Sequence, residues 1–533
     1  MIKINTLVIK NAHIVSPSDE LDKVADVLVK DGKITKIAEN ISTEGNVIDA
    51  DGLTLIPGLV DMHVHLRDPG QTHKEDIISG CKAAAAGGVT SLLAMPNTIP
   101  TTDNAETVKY ILDKAKNADA NVYVAGSITK GLKSLEPTNI EELKSAGAIA
   151  LSDDGRPVEN TKYLSEAMKK APQLGMTVVA HCEDLFLADG GKINGGEVSK
   201  NLGVKGIPAA AEDCGTAREI ALAAALDVPI HICHVSTKTS VALVRDAKRR
   251  GVKVTAETAP HYFSMTEKEL LAKDADFRMN PPLRTHEDVV EIISGLKDGT
   301  LDAIATDHAP HTPEEKSDFE KAPNGSIGME TSFAVSYTYL VKTGLLTISE
   351  LVEKMSTNPA EILGINAGHI KVGAGTFWDT VIICALTGLV ITSSIIAYPD
   401  IDYHDGAALT KAAFSKIPYI GAPLLTFGLT TFAFSTTLGW SYYGERCVEY
   451  LKGKKWMLCY RILYIVSIFA GSVISLGLVW NIADCMNALM AIPNLISLLC
   501  LSGIIVHETR KYLWRDRLDQ DMEESELLEI EDK

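Results

Sequence analysis

Apolar and polar positions alternate over the first part of the chain, residues 1–57, in the manner of short β-strands. The clearest example is the segment "ADVLVKDGKITKIAEN", in which Asp31-Gly32 separates two alternating apolar runs. An Asp-Gly pair in that position is a strong signal for a two-residue hairpin. The pattern therefore predicts a small β-domain over residues 1–57.

The rhythm changes after Pro57 to short apolar runs that end in polar residues and are followed by helix-like segments such as "KEDIISGCKAAAAGG". Eight runs of this kind are present: "GLVDMHVHLR", "TSLLAMPN", "NVYVAGSIT", "GAIALSDDG", "MTVVAHCED", "VPIHICHVS", "VKVTAETAPH" and "DAIATDHAPH". Eight strands that alternate with helices are the sequence form of a (β/α)₈ TIM barrel. We therefore predict an α/β fold with such a barrel over residues 58–367, whose site lies at the carboxyl ends of the strands.

The last part of the chain is apolar over lengths that match a bilayer. Four stretches, roughly 376–397, 418–440, 462–480 and 485–506, are each near the length of about 20 residues that a spanning helix needs. They predict an all-α membrane segment of about four helices within residues 376–514, which is followed by an acidic tail over 515–533. Basic residues cluster in the loop 441–461 and after the last stretch. The positive-inside rule then places both segments, and the barrel, on the cytoplasmic side of the cytoplasmic membrane.

Charge and cysteine content narrow the class of partner and the compartment. The formal net charge of −18 argues against a nucleic-acid partner, which would require a basic face. The N-terminal segment "MIKINTLVIKNAHIV" lacks the continuous apolar run of a signal peptide. The nine cysteines form no C-x-x-C pair, which is typical of reduced thiols in a cytosolic protein.

Histidines and acids gather at the predicted strand ends. His63 and His65 are one residue apart on the first strand, so both side chains should point to the same side. The other candidates end later strands: Asp153 and Asp154 the fourth, His181 the fifth, His234 the sixth and Asp307 the eighth. One histidine at a strand end is more often structural, but the whole set favours a catalytic zinc site with room for water.

Several motifs carry a resemblance over about residues 1–373. The segments "DMHVHLRDPG", "AMPNT", "SDDG", "AHCED", "HICHVST", "TAETAPHY" and "ATDHAPHTPEEK" resemble the dihydroorotase family of the amidohydrolase superfamily. The resemblance implies a site for two Zn²⁺ ions, one held by His63, His65 and Asp307, the other by His181 and His234, with Asp154 bridging them. Many relatives bridge with a carboxylated lysine, so the subclass with an aspartate bridge is the one resembled.

The same resemblance assigns the substrate side of the site. It gives Arg67, Asn97, Asn280 and His311 to the substrate, together with Asn324 and Gly325 of the loop "APNG". A guanidinium fork beside an amide suits a small carboxylate, which dihydroorotate carries and which hydantoin and allantoin lack. Hydantoinases and allantoinases share the HxH pair but usually lack an arginine two residues after the second histidine, the position that Arg67 holds here.

The implied reaction interconverts dihydroorotate and N-carbamoyl-L-aspartate in pyrimidine biosynthesis. Zinc-activated hydroxide would attack the ring amide, and Asp307 would act as general base and then as general acid. Glu183 and Asp184 are candidates for contacting and orienting the metal-binding side chains without binding the metal themselves. The resemblance leaves open a homo-oligomer or an association with aspartate transcarbamoylase.

A second resemblance covers about residues 376–514. The segments "TFWDTVIICALTGLVI", "FSTTLGWSYYGERCVEYL" and "LVWNIADCMNALMAIPNLISLL" resemble the C-terminal part of the sodium:alanine symporter family. Residues 368–375 form the junction, and the strands that would close the β-domain are expected to be missing. The hypothesis is that two unrelated genes are joined in frame near Gly373–Thr376. The alternatives are a symporter fragment with an appended barrel and a non-catalytic barrel that serves as a scaffold.

Overall fold

The computed structural model describes residues 6–42, 45–373 and 460–461. The strands are β1 (Thr6–Ser16), β2 (Leu21–Lys30), β3 (Lys33–Ala38), β4 (Asn46–Asp49), β5 (Thr54–Leu55), β6 (Leu59–Val64), β7 (Val89–Ala94), β8 (Asn121–Gly126), β9 (Ala150–Leu151), β10 (Thr177–Ala180), β11 (Ile193–Asn194), β12 (Gly206–Ile207), β13 (Ile230–Ile232), β14 (Val254–Thr258) and β15 (Ala303–Ile304). They build one sheet before the barrel, the barrel itself, and a small pair, β11 and β12.

The helices lie between and after the barrel strands. They are α1 (Ile77–Ala86), α2 (Ala105–Ala115), α3 (Ile140–Ala146), α4 (Thr161–Gln173), α5 (Leu185–Ala188), α6 (Glu197–Leu202), α7 (Ala209–Leu226), α8 (Lys238–Arg249), α9 (Pro260–Ser264), α10 (His286–Lys297), α11 (Pro313–Lys316), α12 (Ser332–Ser336), α13 (Ile348–Val352) and α14 (Asn358–Leu363). Short 3₁₀ turns cover Pro17–Asp19, Lys130–Leu132, Glu267–Ala272 and Ala275–Phe277, and π-helical turns cover Tyr337–Val341 and Glu353–Thr357.

The first five strands form a separate sheet in the order β3-β2-β1-β4, with β5 beside β1. The predicted hairpin is confirmed, because β2 and β3 are antiparallel and joined through Asp31 and Gly32, both with positive φ. A two-residue turn in which both residues have positive φ has a backbone twist that matches the twist of the flanking strands. Ile370, which follows the barrel in the chain, is buried in the core of this sheet.

The eight predicted barrel strands are all present as β6, β7, β8, β9, β10, β13, β14 and β15, in one parallel sheet that follows chain order. The sheet meets itself where Val64 pairs with His308, and the backbone N–H of His65 donates to the carbonyl of His308 at 2.8 Å. The Asp61 carboxylate supports the same seam by accepting from the Thr306 hydroxyl at 2.6 Å. These bonds bring the first and last strand ends together, as a TIM barrel requires.

Strand β6 contains a β-bulge that decides which side chains face the barrel interior. Its register against β7 advances from Asp61–Leu92 to Val64–Ala94, so that one extra residue is inserted. Before the bulge Met62 packs in the interior, whereas after it Val64 packs outward against the helices. The bulge therefore turns the odd-numbered His63 and His65 inward, as bulges beside active sites commonly do.

Two apolar layers hold the barrel in shape. The outer layer joins the strands to the surrounding helices, with members such as Leu92, Val108 and Ile292. The inner layer fills the barrel and includes Leu363 of α14, so the interior is a packed core beneath the polar site. Among the described residues, no helix has both the length and the apolar character needed to cross a bilayer. The predicted spans within 376–506 lie outside the described residues.

Candidate metal and substrate site

The Asp154 carboxylate lies at the centre of the polar cluster at the carboxyl ends of the barrel strands. Its Oδ1 is 3.1 Å from Nε2 of His63, 3.5 Å from Nδ1 of His181 and 3.7 Å from Nε2 of His234. Its Oδ2 is 3.5 Å from Nε2 of His65. Two groups of residues suitable for a metal therefore share this one carboxylate, His63 with His65 and His181 with His234.

Asp307 joins the first of these groups from the last strand end. Its Oδ1 is 3.1 Å from Nε2 of His65 and 3.7 Å from Nε2 of His63. On the other side of the His65 ring, Nδ1 lies 2.8 Å from Oδ1 of Asn97, whose amide nitrogen donates to Asp154 at 3.2 Å. When Nδ1 donates to Asn97, the lone pair of Nε2 faces the space between the two aspartates. In this structure Asn97 thus contacts both His65 and Asp154 and orients these two candidate ligands.

The second group is supported in a similar way from the fifth strand. His181 Nδ1 lies 2.9 Å from His234 Nε2, and its other ring nitrogen lies 3.5 Å from the Glu183 carboxylate. The amide of Asn280 donates to that carboxylate at 3.3 Å. Glu183 is therefore positioned behind a candidate ligand. Asp184 is not, because its carboxylate accepts from the first backbone N–H groups of α5.

The buried carboxylate of Glu257, which lies beneath the site, was not predicted from the sequence. Glu257 on β14 is fully buried, with one oxygen 3.4 Å from Nδ1 of His63 and the other 3.3 Å from Nε2 of His231. His231 Nδ1 in turn lies 2.9 Å from the Thr255 hydroxyl. Glu257 therefore places negative charge beside the far ring nitrogen of His63, although none of these carboxylate–imidazole contacts has hydrogen-bond geometry. The signal was present in "TAETAPHY" as an acid within an apolar strand.

The donor set fits a metal. Among the described residues, Nε2 of His63 and Oδ1 of Asp154 are buried and, although they lie 3.1 Å apart, neither takes part in a hydrogen bond. Buried polar atoms are costly in that state, so both are open to a cation. Burial raises the pKa of Asp154, but His63, His181 and His234 outweigh it and hold the pKa well below its usual range. Burial also raises the pKa of Asp307, which the imidazoles of His65 and His63 lower to about 2.

Three residues of the site have a strained backbone. Arg67, His234 and Asp307 have positive φ values of 58°, 36° and 50°. Residues other than glycine rarely adopt positive φ values. Each such residue destabilises the fold by on the order of 1–3 kcal/mol, so the surrounding contacts must hold it in this conformation. Each lies two or three residues beyond the end of a barrel strand, where the chain turns at the carboxyl end of the barrel.

Beside the histidine–aspartate cluster lies a second polar group, formed around Arg67 and His311. The Arg67 guanidinium donates through Nε to the carbonyl of Pro310 at 3.1 Å and through Nη2 to Nε2 of His311 at 3.3 Å. The carbonyl of Asn324 lies 3.1 Å from the same His311 nitrogen. Gly325 follows with φ of 140°, and a side chain there would meet the Ala309 carbonyl at 2.5 Å. The structure thus brings Arg67, His311 and the "APNG" loop together.

Comparisons with known proteins agree with this architecture. A dihydro-orotase-like family model matches residues 52–240, and the model of the sodium:alanine symporter family matches residues 365–526. The dihydroorotase of Acetivibrio thermocellus is 51% identical over 370 residues, which are 69% of this chain and 87% of that protein. The dihydroorotase of Ruminiclostridium cellulolyticum is 52% identical, again over 69% of this chain and 86% of that protein.

Solved structures with the same fold are more distant in sequence. The L-hydantoinase of Arthrobacter aurescens superposes with a TM-score of 0.62 at 26% identity, covering 69% of this chain and 85% of that one. The dihydropyrimidinase of Brevibacillus agri gives 0.61 at 27% identity, covering 69% and 84%. The class that this barrel and its site define is a hydrolase of the amidohydrolase superfamily. Within that class, the chain belongs to the dihydroorotase family, and it carries in addition a segment matching the symporter family.

Proposed function

We propose that the barrel interconverts (S)-dihydroorotate and N-carbamoyl-L-aspartate by opening and closing a cyclic amide. The observation that carries this proposal is the position of the Arg67 guanidinium beside the shared Asp154 cluster. Burial lowers the pKa of Arg67 from its ordinary value, although Asp307 and Asp154 counteract this, and arginine remains a cation in proteins. A partly desolvated cation of this kind selects a substrate with a carboxylate next to its reacting ring.

The proposed ligands are the four histidines and two aspartates of the cluster. His63, His65 and Asp307 would hold one Zn²⁺ ion, His181 and His234 the other, with Asp154 shared. The buried unpaired atoms of His63 and Asp154 support this assignment. When bound, the metal pair would provide hydroxide near neutral pH and polarise the amide carbonyl.

The remaining chemistry belongs to side chains of this chain. Arg67 would bind the substrate carboxylate, with Asn97, Asn280, His311, Asn324 and Gly325 as its neighbours around the ring. Asp307, ionised because its pKa is lowered to about 2, would accept the proton of the attacking nucleophile. It would then deliver that proton to the departing ring nitrogen. Ring closure follows the same steps in reverse.

A second candidate is the hydrolysis of uncharged rings, which the likeness to hydantoinase structures favours. The two functions differ in whether the ring carries a carboxylate. The test is to load the full-length chain with zinc and to compare kcat/KM for dihydroorotate with that for hydantoin and 5,6-dihydrouracil. We expect a clear preference for dihydroorotate. A preference for the uncharged rings would reject the proposal, and absence of all turnover would favour the non-catalytic scaffold.

We also propose that residues 376–506 anchor the barrel to the cytoplasmic membrane, with residues 1–57, 58–367 and 515–533 on the cytoplasmic side. The match to the symporter family over 365–526 supports this. Cysteines introduced in 402–410 and in 453–455 test the orientation. Only the first set should react with an impermeant reagent from outside the cell. Sodium-driven alanine uptake would instead support the transport alternative.

A further inference from the structure

The His311 ring is held between two hydrogen-bonding alternatives. Its Nδ1 lies 3.2 Å from Nζ of Lys74 and 3.1 Å from a carboxylate oxygen of Glu315. Its Nε2 lies 3.3 Å from Nη2 of Arg67 and 3.1 Å from the carbonyl oxygen of Asn324. Lysine and arginine can only donate, and carboxylate and carbonyl oxygens can only accept. Each ring nitrogen therefore faces one obligatory donor and one obligatory acceptor.

Two tautomers of the neutral ring satisfy these neighbours, and they exclude each other. In the first, Nδ1 donates to Glu315 and Nε2 accepts from Arg67. In the second, Nε2 donates to Asn324 and Nδ1 accepts from Lys74. Burial, and then the Arg67 charge, lower the pKa of His311 to about 4, so the ring carries a single proton at neutral pH. The ring must therefore adopt one tautomer or the other.

The two tautomers differ in what they offer to an anion beside Arg67. In the first, the ring occupies one N–H group of the guanidinium and presents no proton there. In the second, that N–H group is released, and the N–H group on Nε2, which donates to the Asn324 carbonyl in the free site, lies next to it and can be shared with a bound anion. A carboxylate is bound best by parallel donors, so it will favour the second tautomer. Lys74, whose side chain is only 11% exposed, is the donor that stabilises this tautomer.

Glu315 favours the first tautomer, but its carboxylate has other hydrogen-bond partners besides His311. Its carboxylate also accepts from the backbone N–H of Thr312 at 3.2 Å and lies 3.3 Å from Nζ of Lys74. The carboxylate thus remains satisfied when the histidine turns its proton elsewhere. When the ring changes from the first tautomer to the second, the loss of its contact with Glu315 therefore costs little free energy.

We propose that Lys74 is a specificity-determining residue for carboxylated substrates, acting by holding His311 in the tautomer whose Nε2 carries the proton beside Arg67. This inference rests on the proposed function, because it concerns how the residues around Arg67 recognise dihydroorotate. Lys74 is a positioning residue in this scheme, since it touches His311 and leaves the reacting atoms to the metal cluster.

The experiment compares steady-state kinetics of the zinc-loaded full-length chain with those of Lys74→Met, Lys74→Arg and Glu315→Gln. Lys74→Met should raise KM for dihydroorotate about tenfold, the effect of losing one hydrogen bond from a charged donor, with kcat within about twofold. Lys74→Arg keeps a donor and should recover most of the affinity. Glu315→Gln places an amide donor near Nδ1 and should leave KM at or below the parental value.

Two controls separate this role from a structural one. Lys82→Met removes an exposed lysine of α1 and should leave KM unchanged. The KM or Ki of 5,6-dihydrouracil, which lacks the carboxylate, should be the same in Lys74→Met as in the parent. If Lys74→Met keeps the parental KM for dihydroorotate, or if Glu315→Gln weakens binding as much as Lys74→Met does, the inference is wrong while the proposed function stands. A parent without activity on dihydroorotate would overturn both.

Discussion

Asp153 and Asp154 are consecutive in the chain, yet their carboxylates have separate partners. Oδ1 of Asp154 lies 3.1 Å from Nε2 of His63, whereas Oδ1 of Asp153 accepts from the backbone N–H groups of Ile128 at 2.6 Å and Thr129 at 3.1 Å. The first carboxylate belongs to the candidate metal cluster and the second anchors the loop after β8. This separation allows the two roles to be tested side by side.

We predict that Asp154→Asn lowers the metal content of the purified full-length chain from about two zinc ions to one or fewer. The amide cannot serve as a charged bridge between the two groups of histidines. Elemental analysis after dialysis measures the content. Asp153→Asn is the matched control, and it should keep the parental metal content while losing thermal stability, because it weakens a buried hydrogen-bond network. A full complement of zinc in Asp154→Asn would refute the bridging assignment.

Glu257→Gln should weaken metal binding although the residue is not a proposed ligand. The amide would remove the negative charge that lies 3.4 Å from Nδ1 of His63, and changes of this kind typically cost 10- to 100-fold in metal affinity. Competition with a chromogenic chelator measures the change. Glu212→Gln removes another buried carboxylate, one that is paired with Arg284, and should leave metal affinity unchanged. Equal affinities in the parent and in Glu257→Gln would show that the carboxylate serves packing only.

Arg67→Met should reduce binding of dihydroorotate by roughly 2–5 kcal/mol, because a desolvated partner of the substrate carboxylate is lost. The effect should be much smaller for 5,6-dihydrouracil, which has no carboxylate. Steady-state kinetics with both compounds provide the comparison. Should the variant keep the parental kcat/KM for dihydroorotate, another group must read the carboxylate.

Ile370→Ala should destabilise the small sheet by about 2 kcal/mol, the low end for a buried isoleucine, because its neighbours belong to a small cluster. The Ile370 backbone N–H also donates to the Ser16 hydroxyl at 3.0 Å, so the segment is attached by polar contacts as well. Thermal unfolding at constant zinc measures the loss. Val372→Ala is the control, since Val372 is 62% exposed and should change little.

The junction itself gives a further expectation. A chain that ends at Gly373 should be less stable than one to which the closing strands of a relative are added, by an amount on the order of several kcal/mol for the apolar area covered. The physical reason is that unpaired strand edges and uncovered apolar faces would be removed. Identical melting temperatures would mean that residues 1–373 need no further strands.

Much of the barrel could be predicted because its signals are local. Each strand is a short apolar run, and the polar residues that follow it lie at the carboxyl end of the barrel. His65, the pair Asp153–Asp154 and His234 were identified in this way, and the structure brings His65, Asp154 and His234 together. The bulge in β6 was not visible, since it depends on register against β7. Lys74 and Glu257 were also missed, because single charged residues in a sequence do not reveal their partners.

Three properties could be read from the amino-acid sequence alone: the order of the strands, the polar residues at their ends and the change to apolar stretches after residue 375. These properties follow from hydrophobic periodicity and segment length, which act over a few residues. The contact of Glu257 with His63, and the donors that surround His311, became visible only in the folded structure. Those outcomes depend on atoms more than 50 residues apart in sequence, such as Lys74 and His311, meeting at 3.2 Å. Contacts of that kind arise from closure of the barrel and not from any local pattern.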